Sequence, residues 1–129
     1  RSFFSQNQLN CKRSFYVKHQ KLMFSFLKKK YQSINIIEFE ALQNDKDLVV
    51  IDVRNTGELS SGVIPKSIHI NVMESSFTTK VKELDRTKTY VLYCRSGLRS
   101  ARACQIMVKN EFKDLYNLKG GFNAWDKAK

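Results

Sequence analysis

The chain is 129 residues long, which suits one domain with a single modest core. Apolar residues make up 42% and aromatics 12%, which excludes a disordered chain, and no apolar run approaches the roughly 18 residues of a membrane-spanning helix. The net charge of +11 suggests an anionic partner until it is divided along the sequence. Residues 1–32 hold eight Lys/Arg and no acid, and the remainder holds 15 Lys/Arg against 12 Asp/Glu. The body is therefore nearly balanced, and no nucleic-acid partner is expected.

The basic segment, residues 1–32, is rich in Arg, Lys, Ser and Phe and free of Pro and Gly. That composition looks like a mitochondrial targeting sequence, with "RSFY" at 13–16 similar to a presequence cleavage site. A helical stripe of Phe15, Leu22, Met23, Phe26 and Leu27 suits it. Two other readings compete: a retained arm docking on a partner protein or an anionic membrane surface, and a solvated basic tail. The expected location is the mitochondrion, on the matrix side.

From Ser33 the pattern alternates. "INIIEFEALQND" predicts a short helix stopped by Asn44-Asp45. "LVVIDV" at 48–53 predicts a strand buried on both faces of a parallel sheet. "RNTGELSSGVIPKS" predicts a loop with at most one helical turn, and "IHINV" at 68–72 a second strand. "MESSFTTKVKEL" predicts a helix, and "TYVLYC" at 89–94 a third buried strand. "LRSARACQIMVKN" at 98–110 predicts a helix, "LYNL" at 115–118 a fourth strand, and "GGFNAWDKAK" a last helix after a glycine turn. The expectation is an α/β domain over 33–129, with a mainly parallel central sheet and helices on both faces.

Three cysteines without a C-x-x-C pair predict neither a disulfide framework nor a zinc site, and no metal or cofactor is expected. Cys104 falls in mid-helix among apolar neighbours and reads as inert core; Cys11 lies outside the domain. Cys94 is placed at the carboxyl end of a buried strand, where α/β sheets put their ligands. The helix after it adds a positive end, and Gly97 lets the intervening loop curl with its N–H groups inward. Such a cradle stabilises an anion. Either the Cys94 thiolate is that anion, or it is a charged substrate group for which Arg95 and Arg99 offer fork-shaped donors. The bland alternative is a buried cysteine beside solvated arginines.

At this point the chain resembles the rhodanese-like, single-domain sulfurtransferase family. "YVLYCRSGLRSA" is similar to the family's C-R-x-G-x-R-S active-site loop, and "VIDVRNTGEL" to its D-V-R…E segment. "SGVIPKSIHI" is similar to G-H-I-P-G-A-x-x-I, and "LKGGFNAW" to L-x-G-G-x-x-A-W, all in family order across about 33–127. The resemblance implies a Cys94 persulfide, formed from a small anionic sulfur donor such as thiosulfate and discharged to cyanide or a thiol. It implies that the loop 95–100 (Arg95, Ser96, Gly97, Leu98, Arg99, Ser100) cradles the sulfur, with Arg99 on the donor's anionic end. It implies support from Asp52 near the loop and from Arg54 paired with Glu58. Trp125 matches the family tryptophan and reads as core.

Val63 stands where the family has histidine, and Lys66 and Ser67 where it has Gly-Ala; these changes are expected to bear on neighbouring loops and partners. Two alternatives remain. A cysteine phosphatase would place five residues between its cysteine and arginine, whereas Cys94 and Arg99 have four between them. A rhodanese-like accessory subunit of a mitochondrial complex would use the module for binding.

Overall fold

The computed structural model describes residues 30–129. Residues 1–29 lie outside the described part, and with them Cys11 and most of the segment read as a targeting or docking arm.

Strand β1 (Gln32–Ile34) leads into helix α1 (Ile36–Leu42), then β2 (Leu48–Asp52) and a 3-10 helix (Thr56–Ser61). After these come β3 (Ile68–His69), α2 (Phe77–Lys82), β4 (Thr89–Tyr93), α3 (Leu98–Lys109), β5 (Leu115–Leu118) and α4 (Gly121–Lys127). The five strands lie in the order β1-β5-β4-β2-β3, and every neighbouring pair is parallel. The α/β class with a parallel sheet between helices is thus the observed one.

Strand β1 was not expected. It is three residues at a sheet edge with only Ile34 buried, so it carries no apolar signature. Gln32 pairs with Tyr116 and Tyr31 is buried, so the fold reaches two residues into the basic segment. Helix α1 starts where Asn35 and Glu38 form a reciprocal capping box, at 2.8 and 2.9 Å. The expected strand at 68–72 is regular only over Ile68–His69. Beyond it Ile70 and Val72 still donate backbone bonds to Asp52 and Val53. The loop after β2 is more ordered than expected: six residues of 3-10 helix, opened by a second capping box between Asn55 and Glu58.

Side chains alternate across the sheet. Tyr90, Leu92 and Cys94 face one core with Phe77 and Val81 of α2 and Ala103, Cys104 and Met107 of α3. Val91 and Tyr93 face the other, with Phe39 of α1 and Phe122 of α4. The continuous burial of β4, all five residues, follows from its central place between two helical layers. β2 hands the chain outward to β3, while its neighbour β4 hands it the opposite way to β5. The connections after β2 and β4 diverge there, which opens the crevice where such sheets bind ligands.

Candidate active site

Cys94 follows the last residue of β4, and only 1% of it is exposed. The loop Arg95–Gly97 turns over its sulfur and enters α3 at Leu98. Gly97 takes φ 109°, a left-handed value that a side chain rarely adopts. That turn aims the Gly97 N–H at Cys94 Sγ, 3.1 Å away. Ser100 Oγ donates to the same sulfur at 3.5 Å. Burial alone pushes the Cys94 thiol up, but bonds from the Ser100 hydroxyl and from the N–H groups of Ser100, Gly97 and Ser96 outweigh it, so ionisation falls below the ordinary cysteine range.

Two parts of this cradle come from segments that the sequence did not mark as site. Asn117 of β5 is buried beneath the loop; its Nδ2 donates to the Gly97 carbonyl at 3.1 Å, so its Oδ1 accepts from Ser100. Ser100 has one hydroxyl proton between two acceptors, Asn117 Oδ1 and Cys94 Sγ, and turning it to sulfur favours the thiolate. The signal was present as a polar residue inside "LYNL", a buried strand beside the cysteine strand. The second part is the start of α4. Phe122 and Asn123 donate their N–H groups to the Cys94 and Arg95 carbonyls at 2.8 and 3.1 Å. This holds those carbonyls towards α4. Gly121 permits the approach: a Cβ there would lie 2.4 Å from the Cys94 oxygen.

Arg99 does not stand open. Arg99 makes a two-pronged pair with Glu58, Nη1 to Oε1 at 2.7 Å and Nη2 to Oε2 at 2.9 Å. Arg95 Nε donates to Glu58 Oε2 at 3.2 Å. The bond from Arg99 above all, then those from the Asn55 N–H and Arg95, lower the Glu58 carboxyl from its usual range to about 2 despite its burial. The expected Arg54–Glu58 pair is therefore corrected: Glu58 belongs to the loop arginines, and Arg54 reaches only its carbonyl oxygen, at 3.4 Å. Arg54 instead pairs with Asp52, Nη2 to Oδ2 at 2.7 Å, with both side chains 1% exposed. Its guanidinium lies against the Phe122 and Tyr93 rings, 4.5 and 5.4 Å from their centroids, and it donates to the Gly62 carbonyl. A buried bidentate pair between rings is the physical reason: Arg54 lies two residues beyond Asp52, and both point into the α1/α4 core.

Asp52 meets the strand before the loop. Its Oδ2 accepts from Tyr93 Oη at 2.7 Å. Ser67, one of the departures from the family pattern, has its Oγ 3.1 Å from the same Tyr93 oxygen, so it touches the network beneath the site and not merely the rim. Lys66 takes φ 68° at the place of the family glycine. Leu98 exposes 80% of its surface at the start of α3, so its side chain is turned to solvent and not to the sulfur. Cys104 is buried and its thiol is pushed up to about 12 by that burial. Trp125 packs its ring against Phe122.

Comparison with known proteins fits this geometry. The family model of the rhodanese-like domain matches residues 36–128. YtwF of Bacillus subtilis, which bears a sulfurtransferase name, is 38% identical over 87 residues, covering 67% of this chain and 82% of YtwF. The thiosulfate sulfurtransferase GlpE of Coxiella burnetii is 28% identical over 95 residues, covering 74% of this chain and 87% of GlpE. The crystal structure of a rhodanese-related protein from Thermoplasma volcanium superposes with a TM-score of 0.64 at 34% identity, covering 76% of this chain and 93% of that one. YtwF and GlpE are bacterial, and these likenesses lend no support to a mitochondrial accessory subunit. The chain belongs to the rhodanese-like domain family, as a rhodanese-type enzyme related to sulfurtransferases.

Proposed function

We propose that the chain moves a sulfane sulfur from a donor such as thiosulfate to cyanide or a thiol through a persulfide on Cys94. The observation that carries this reading is the convergence of donors on one sulfur: the Gly97 N–H and the Ser100 hydroxyl, with ionisation lowered against burial. In the first step Cys94–S⁻ attacks the outer sulfur of thiosulfate. The new S–S bond forms as the old one breaks, and sulfite leaves with the electron pair. In the second step the acceptor attacks the outer sulfur of Cys94–S–S⁻, and the Cys94 thiolate leaves. The persulfide anion needs the same donors as the thiolate, so one fixed cradle serves both states without rearranging. Asp52 and Arg54 brace the strand end through Tyr93, and Glu58 braces the loop through Arg95 and Arg99.

Intact mass after thiosulfate treatment tests the reading. One sulfur atom is gained, is lost on adding cyanide, and is absent in Cys94→Ser. No gain on the wild-type protein, together with efficient hydrolysis of an aryl phosphate, would establish a phosphatase instead.

A further inference from the structure

Glu58 occupies the arginine fork that the resemblance assigns to a donor's anionic end. The Arg99 fork, the best-shaped oxyanion receptor beside Cys94, gives both terminal nitrogens to one carboxylate. Arg95 gives the same carboxylate its Nε. The carboxylate is also anchored from its own side. Glu58 N–H donates to Asn55 Oδ1 at 3.0 Å and Oε1 accepts from the Asn55 N–H at 3.2 Å. The Glu58 side chain is only 11% exposed.

We propose that Glu58 is a specificity-determining residue, which holds the arginine fork closed to oxyanions and biases Cys94 towards persulfide donors whose leaving group carries no oxyanion. The proposal rests on the sulfur-transfer reading above. At the Arg99 fork a thiosulfate dianion has two ways to bind, both unfavourable. If Glu58 stays, the two arginines, Glu58 and the Cys94 thiolate sum to zero charge, and the ionised side chains offer a dianion no net attraction. If Glu58 is displaced, a nearly buried carboxylate is left without its cations, the costly way to break such a pair. A persulfide R–S–SH with a neutral R meets neither penalty. Cys94–S⁻ attacks its outer sulfur, a new S–S bond to Cys94 forms, the donor's own S–S bond breaks, and R–S⁻ leaves with the electron pair; the proton stays on the transferred sulfur. Arg95 and Arg99 then act as positioning residues that fix the loop.

The test compares second-order rates of Cys94 persulfide formation by quenched intact mass, with thiosulfate and with 2-hydroxyethyl persulfide as donors. In Glu58→Gln, which keeps the length and an acceptor oxygen, the thiosulfate-to-persulfide rate ratio rises about tenfold or more, equal to about 1.4 kcal/mol. Glu58→Asp keeps the charge, and its ratio stays near the wild-type value. An unchanged ratio in Glu58→Gln, or an equal rise in Glu58→Asp, overturns the proposal while leaving sulfur transfer intact. Loading of the wild type by neither donor overturns sulfur transfer itself, and the proposal with it. A second measurement needs no variant. Sulfate, an unreactive oxyanion, inhibits wild-type loading by 2-hydroxyethyl persulfide only above about 10 mM, and inhibition below about 1 mM overturns the proposal.

Discussion

Gly121→Ala probes how the start of α4 holds the active loop. The added methyl would sit 2.4 Å from the Cys94 carbonyl oxygen and 2.7 Å from that of Arg95, both backbone atoms that no rotamer can move aside. Restoring ordinary contact needs a displacement of roughly 1 Å, and a misplacement of that size at a reacting group costs about 100-fold in rate. The residue also sits at φ 55°, which adds about 1–2 kcal/mol for a non-glycine. The two bonds from Phe122 and Asn123 to those carbonyls weaken as well, by about 1 kcal/mol each. The sum, roughly 3 kcal/mol, lowers Tm by about 10–20 °C for a domain of this size. Single-turnover persulfide formation below the variant's own Tm is expected to fall about 100-fold. Gly57→Ala is the control, because its methyl would meet only Asn55 Oδ1 at an ordinary 3.4 Å. Wild-type loading and melting in Gly121→Ala would refute the claim that this close approach shapes the site.

Ser100→Ala removes the hydroxyl that stabilises the Cys94 thiolate, so ionisation moves up. The acid limb of persulfide formation moves to higher pH, with a loss of about tenfold along that limb as expected for a lost bond to a charged group, and the rate recovers at alkaline pH where the thiolate forms unaided; a pH–rate profile parallel to wild type contradicts this. Arg54→Ala leaves Asp52 as an unpaired buried carboxylate and destabilises the fold by about 3–5 kcal/mol, read as a lower urea midpoint at unchanged slope. Lys66→Gly relieves φ 68° at a turn and stabilises by about 0.5–1 kcal/mol after the glycine's own entropy cost, read as a higher Tm.

What the sequence displayed was whatever its local pattern encodes. β4 is buried at every position because two helical layers cover it, and its β-branched and aromatic residues read as a buried strand without help. The Cys94 loop shows itself because glycine, arginines and serines crowd into one strand–helix turn. β1 is invisible for the opposite reason: only one of its three residues is buried. The expected Arg54–Glu58 pair fails because spacing along the chain does not say which face of a strand end a charge occupies. Glu58 lies four residues after Arg54 yet pairs with residues 37 and 41 positions away, across the crevice between the β2 and β4 connections. Asn117 and Gly121 act through contacts with the distant Cys94 loop; a polar residue inside "LYNL" marks Asn117 as unusual, but its neighbours in sequence do not say which partner it meets.

The pleat of β4 gives these assignments a common logic. Tyr93 and Cys94 are consecutive, so they point to opposite faces of the sheet. Asp52 is paired in register with Tyr93 and accepts its hydroxyl, which commits this buried carboxylate to the α1/α4 face with Arg54 and Phe122. Cys94 faces α2 and α3, where its partners are the uncharged Ser100 and backbone N–H groups. A carboxylate on the thiol's own face would oppose thiolate formation, because like charges disfavour each other's ionised form. The arrangement braces the strand end with a full charge pair and still surrounds the sulfur with donors. A one-residue slip of the β2–β4 register would turn Asp52 to the thiol side and forfeit both advantages at once.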